Sequence, residues 1–201
     1  NVYVVSFGEP LGPTEGALFK ITPDGTITAS DVPGFAGRIA ADSVDNTYII
    51  VSGSGVFKLP PGGTFTQIID ATGDGAGNEL IEGGGVAIDS SGNVYVTGEV
   101  FDNVFQITPG GTVTVILDAT GDGTGNVLNA PVAVAVDASG NVYVTGWYSH
   151  NVFQFADLVV CSTVGTLYAI SHLIHRHRDV HCNTLTGPFG VAVDDRYYAY
   201  V

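Results

Sequence analysis

The chain has 201 residues, six Lys+Arg against 20 Asp+Glu, and a formal net charge of −14. A balance this acidic excludes duplex nucleic acid and anionic membrane surfaces as partners, because both require phosphate-neutralising Lys and Arg. Hydrophobic residues make up 45% and charged residues 13%, enough apolar material for a packed core and too little charge for a solvated disordered chain.

No stretch approaches the roughly 18 consecutive apolar residues of a membrane-spanning helix. Asn1-Val2-Tyr3-Val4 reads as the middle of a strand, with no Met and no signal peptide before it. The chain is therefore expected to be a processed form or a fragment. The charge is uneven: residues 1–150 carry 16 acids and three bases, residues 151–201 four and three.

An internal repeat sets the expected elements. Residues 1–30 supply three strands, the second and third joined through ALFKITPDGTIT (17–28). The first full unit follows, with Ile39-Ala-Ala-Asp-Ser-Val-Asp-Asn-Thr-Tyr-Ile49. The segment recurs most plainly as Val86-Ala-Ile-Asp-Ser-Ser-Gly-Asn-Val-Tyr-Val96 and Val134-Ala-Val-Asp-Ala-Ser-Gly-Asn-Val-Tyr-Val144, and more weakly at 191–201. The anchoring acids Asp42, Asp89, Asp137 and Asp194 are 47, 48 and 57 residues apart.

Each unit reads as four strands. Val86–Asp89 is a short apolar run, and Ser90-Ser91-Gly92 is a tight turn. Asn93–Thr97 alternates as a strand should. Gly98–Asp102 is a loop, Val104–Thr108 a third strand, and Pro109-Gly110-Gly111 a turn into Thr112–Leu117. Four antiparallel strands per ~40–50 residues predict an all-β chain of β-propeller blades. A β-solenoid would need shorter coils and fewer turn signals. Seventeen strand places result: three, then four in each of three units, then two. Both ends carry a second-position strand, so neither completes the other. The expectation is about four blades in an open or partial ring, spanning 1–201 as a single segment and self-associating through its open blade edges. A self-contained four-bladed ring is the alternative.

Two units end in near-identical loops. Asp70, Thr72, Asp74 and Asn78 in the first match Asp118, Thr120, Asp122 and Asn126 in the second. Their oxygens fall at the 1, 3, 5 and 9 positions of a calcium loop, with Gly75 and Gly123 at position 6. Position 12 holds Ile81 and Asn129 rather than the bidentate Glu. Two readings stay open: calcium as a cofactor, or Asx turns in which the side chains cap their own backbone.

The repeat is lost over 156–182, an atypical insertion or disrupted blade. Either a surface loop has been inserted or the stretch is translated in an altered reading frame. It holds His172, His175, His177 and His181, residue types that suit a transition metal, although no complete ligand spacing emerges. Cys161 and Cys182 suit a disulfide in an oxidising compartment. The only helix expected in the chain is one near 164–176.

The segments GVAIDSSGNVYVTG (85–98) and NVFQITPGGTVT (103–114) resemble the NHL-type propeller repeats, a group that includes streptogramin lyases and gluconolactonase-like enzymes. The resemblance implies a ligand face formed by loops, with His and Glu beside a divalent ion in the enzymes. The comparable loops here offer Glu99 and His150 as catalytic base or metal ligand, expected at equivalent positions of adjacent blades from which they could converge. The family's carboxylate after the second strand is replaced by Gly98 and Gly146. Trp147, Tyr148 and Phe101 on the same loops suit an aromatic platform for a sugar or a peptide. The sequence thus points to a non-catalytic scaffold or protein-interaction module, extracellular, at the cell surface or periplasmic, with a glycan as an alternative ligand. The other reading is a metal-assisted lyase or lactonase.

Overall fold

A computed structural model describes residues 1–6, 16–158, 167–174, 188–193 and 199–200. These residues hold seventeen strands and no helix. Blade 1 is β1 (Val2–Ser6), β2 (Ala17–Ile21) and β3 (Ile27–Asp31). Blade 2 is β4 (Ala36–Ala41), β5 (Thr47–Val51), β6 (Gly55–Leu59) and β7 (Thr66–Ile69). Blade 3 is β8 (Gly83–Ile88), β9 (Val94–Gly98), β10 (Asn103–Ile107) and β11 (Val113–Leu117). Blade 4 is β12 (Pro131–Val136), β13 (Val142–Gly146), β14 (Asn151–Leu158) and β15 (Leu167–Ile174). Blade 5 is β16 (Ala192–Val193) and β17 (Ala199–Tyr200). Each blade is an antiparallel meander in chain order, and the sheets stay open.

The strand arithmetic of the repeat is reproduced: the two terminal sheets are incomplete, with three strands and two. One expectation is corrected. Residues 167–174 are not helical but form β15, which pairs with β14 from Val152↔Ile174 to Leu158↔Leu167. An outer edge of blade 4 needing a fourth strand outweighs any local helical preference.

The turns between first and second strands explain why the motif recurs. Asp89 Oδ1 accepts from the Ser91 and Asn93 amides at 2.9 and 2.8 Å, and Oδ2 accepts from Asn93 Nδ2 at 2.7 Å and Tyr95 Oη at 3.1 Å. Asp42 and Asp137 are bonded in the same way. One carboxylate thus closes the turn and anchors the next strand's tyrosine. The turn also needs a left-handed residue, supplied by Gly92 at φ 84°.

Blades pack face to face through their second and third strands. β5, β9, β10 and β13 are buried along their whole length. Phe105 and Phe153 are fully buried, each contributing roughly 1.5–3 kcal/mol by removal from water. First-position strands form the inner edge of the array: β8 lies between β4 and β12, and β16 lies against β12. Gly84 and Gly85 allow that approach. A Cβ on Gly84 would lie 2.6 Å from the Pro131 carbonyl oxygen, and one on Gly85 2.9 Å from Ala133 Cα.

Candidate functional site at the loop-bearing face

The turns between second and third strands and the loops joining successive blades share one face. Hydrogen bonds tie them together. Trp147 N donates to Ala130 O at 3.0 Å and Tyr148 N to Asn129 O at 3.2 Å. Asn129 N in turn donates to Ser149 Oγ at 3.1 Å, and Asn151 Nδ2 donates to Val127 O at 2.9 Å. The tip of the blade 4 turn is therefore held rigidly on the loop that enters the same blade.

That rigidity presents aromatic rings. Trp147 and Tyr148 stack with centroids 5.1 Å apart and planes 9° apart. Phe189, in the segment before β16, meets Trp147 edge-on at 5.6 Å. The Arg38 guanidinium lies 5.5 Å from the Phe189 ring centroid. Tyr148 is 64% exposed and Phe189 56%, so the cluster has open ring faces. Arg38 reaches it from a register irregularity between Ala36 and Ile39 in β4. Arg38 and Phe189 also line a cavity of about 200 Å³ among the inner strands, whose walls include Gly84, Gly85, Val132 and Ala133.

Of the three loop aromatics, Trp147 and Tyr148 stack on each other. Phe101 is 44% exposed, but the rings that complete the cluster are not its own. Phe189 and Arg38 were not readable as partners. They are distant in sequence, and neither belongs to a repeated motif.

Glu99 and His150 do not occupy equivalent positions. Glu99 corresponds to Trp147 and His150 to Asp102. Asp102 and His150 both sit in left-handed conformation, at φ 52° and 53°. Asp102 Oδ1 accepts from the Ala130 amide at 2.7 Å, linking blade 3 to the loop entering blade 4. The Glu99 amide donates to Glu82 O at 3.0 Å. Where the enzyme-like pattern wants a carboxylate, any side chain would require its neighbours to move. A Cβ on Gly98 would lie 2.2 Å from Asn103 Oδ1, and one on Gly146 2.1 Å from Ser149 Oγ.

In the acidic loops the carboxylates turn onto their own backbone. Asp70 Oδ1 accepts from Thr72 N at 2.8 Å and Thr72 Oγ1 at 2.5 Å. Asp74 accepts from Ala76 N, Asn78 N and Asn78 Nδ2 at 2.8, 3.3 and 2.6 Å. Asp118 with Thr120, and Asp122 with Thr124 and Asn126, repeat the arrangement. The Asp122 carboxyl is held at about 2; burial opposes this, and bonds from the Asn126 side chain and the Thr124 amide and hydroxyl outweigh it. Among the described residues, no three His, Cys, Asp or Glu side chains are grouped to hold a metal ion. His172 lies on β15, its backbone opposite Phe153. His175, His177, His181, Cys161 and Cys182 lie outside the described residues.

A family model for the beta-propeller repeat matches residues 65–99. The chain has the β-propeller fold. The propeller is similar to virginiamycin B lyase from Staphylococcus aureus, with a TM-score of 0.62 and 13% identity over 89% of this chain and 53% of that one. A gluconolactonase-like protein gives 0.59 at 16% identity, over 89% of this chain and 61% of the other. The extracellular domain of a protein assigned as a hybrid two-component system of B. thetaiotaomicron gives 0.59 at 15% identity, over 92% of this chain and 23% of that one. The propeller therefore spans just over half the length of the lyase. No curated protein sequence matches it. Among the described residues, no helix is long and apolar enough to cross a membrane.

Proposed function

We propose that this propeller is a non-catalytic binding module of the cell exterior that takes a carbohydrate on the Trp147–Tyr148–Phe189 cluster. The observation that carries this reading is a stacked, half-open Trp147–Tyr148 pair met edge-on by Phe189, the ring that Arg38 covers and that lines the inner cavity. Flat aromatic faces with polar edges suit ligands that are apolar on one side and hydroxylated on the rim. Contiguous exposed apolar surface rimmed by polar groups is a feature of interaction sites.

Trp147 is the single tryptophan of the chain, so its emission reports directly on the cluster. Titration with β-linked gluco-oligosaccharides, extended to an immobilised glycan array, should shift Trp147 emission saturably, and Tyr148→Ala should abolish the shift. An array without binders would overturn the carbohydrate assignment.

The lyase or lactonase alternative draws on the fold likeness and on Glu99 and His150. Turnover that Glu99→Ala abolishes would establish it in place of the binding module.

Self-association belongs to the same proposal. Val2 and Val4 of β1 are 59% and 46% exposed, whereas their counterparts Thr47 and Ile49 in β5 are buried. Among the described residues β1 pairs only with β2. An unpaired edge with an apolar face favours association. Light scattering at high dilution should show oligomers, and a clean monomer would remove the idea.

A further inference from the structure

The face opposite the aromatic cluster carries grooves between adjacent blades, and two of them differ in one informative way. In both, a lysine lies directly across the strand pair from a tyrosine. Tyr3 pairs with Lys20 in blade 1, and Tyr48 pairs with Lys58 in blade 2. Each ammonium sits close to its tyrosine ring, at 5.8 and 5.5 Å from the centroid. Blades 3 and 4 place Gln106 and Gln154 at this position, each donating to the Tyr95 or Tyr143 hydroxyl.

The groove between blades 1 and 2 contains its own carboxylate. Asp45 reaches across from the blade 2 turn. It accepts from Tyr3 Oη at 2.9 Å, Lys20 Nζ at 3.1 Å and Asn1 Nδ2 at 2.6 Å. It does so from a left-handed backbone, at φ 65°, where blades 3 and 4 use Gly92 and Gly140. A non-glycine residue there carries strain. The bonds from Asn1, Lys20 and Tyr3 hold its carboxyl at about 2.

The groove between blades 2 and 3 has the same lysine–tyrosine pair and no such residue. Gly92 occupies the position equivalent to Asp45, and a Cβ there would meet only Pro109 Cγ at 3.4 Å. Among the described residues the sole ion pair is Lys20 with Asp45. Lys58 therefore faces a cavity of about 430 Å³ without a carboxylate partner. The cavity wall is mixed: Ile68, Val94, Ile107 and Pro109 form its apolar part, beside Asn46, Gln67, Ser91 and Thr108. Asp42 also lines it, but both its oxygens are already engaged by Val44, Asn46 and Tyr48. The volume falls in the range of small-molecule sites, roughly 300–1,000 Å³.

We propose that the groove between blades 2 and 3 binds a small organic carboxylate with an apolar body, its carboxylate on Lys58 where Asp45 meets Lys20 in the neighbouring groove. The apolar chain lies along Ile68, Val94 and Ile107. The preference is for a monoanion, because the net charge of −14 disfavours multiply charged acids.

Sodium hexanoate, with hexan-1-ol as the control lacking a carboxylate, tests this by calorimetry and ligand-observed NMR at about 0.1 M ionic strength, where the Debye length is about 10 Å. Hexanoate should bind the full chain at millimolar concentration and hexanol should bind much more weakly. Lys58→Gln, which installs the residue found at positions 106 and 154, should weaken hexanoate about tenfold or more. Gly92→Asp should block binding by supplying the internal carboxylate, and should make the thermal midpoint salt-dependent. Equal binding of hexanol, unchanged affinity in Lys58→Gln, or no binding of hexanoate at all would each overturn the proposal.

Discussion

Asp137 and Asp74 make the same local hydrogen bonds in very different surroundings, and that contrast fixes the expected cost of removing each. Both accept from the amides two and four residues on and from the Asn side chain four residues on. Asp137 is 5% exposed and also accepts from the buried Tyr143 hydroxyl at 3.2 Å, whereas Asp74 sits in an open loop. Asp137→Ala strands the Tyr143 donor and the half-buried Asn141 donors. At about 1 kcal/mol for each of these three donors left without a partner, the total is about 3 kcal/mol. The thermal midpoint should fall by roughly 6–12 °C for a chain of this size. Asp74→Ala should cost much less, because water replaces the lost acceptor. Urea unfolding of both variants measures the difference. Burial would raise the Asp137 carboxyl, but the bonds from Asn141, Ser139 and Tyr143 outweigh it and hold it below its ordinary value. A depressed carboxyl stabilises the fold above the unfolded value of about 3.9 and loses that contribution as pH falls through the folded value. The gap between wild type and Asp137→Ala should therefore be full near neutrality and shrink below about pH 4. Equal costs for the two variants, or a gap independent of pH, would refute the reasoning.

Phe101→Ser should stabilise blade 3 by about 1 kcal/mol in urea unfolding. Asn103 Oδ1 is buried without a hydrogen-bond partner, whereas Asn151 Oδ1, its counterpart, accepts from Ser149 Oγ at 2.8 Å; an unchanged midpoint would contradict this. Gly84→Ala should cost about 1–3 kcal/mol or more by pressing β8 against the β12 backbone. Gly37→Ala, whose Cβ would meet Ile50 O at an ordinary 3.5 Å, should be close to neutral in the same assay. Millimolar calcium should neither release heat nor raise the melting midpoint, since Asp70, Asp74, Asp118 and Asp122 are engaged by their own loops. A saturable heat lost in Asp74→Ala would show instead that the loops open to take the ion.

The repeat by itself makes the architecture legible. Its Asp–Gly–Asn–Tyr signature closes a turn and sets a strand, so each copy reports a blade edge through purely local bonds. The counts of three, four and two strands were legible for the same reason. Residues 167–174 were not: β15 exists because β14 offers it an edge, and an edge is not a local property of the sequence. The candidate site was half visible. Trp147 and Tyr148 were evident from their loop, but Phe189 and Arg38 join them only once blades 2, 4 and 5 surround the inner cavity. The apparent equivalence of Glu99 and His150 dissolved because the matching turns pair Glu99 with Trp147 and His150 with Asp102. Composition and repetition by themselves determined an acidic propeller of incomplete terminal blades. Which acid is structural, and which lysine lacks a carboxylate partner, was decided by the packing of one blade on the next. Asp45 answers Lys20 from a neighbouring sheet, and Gly92 leaves Lys58 facing the groove.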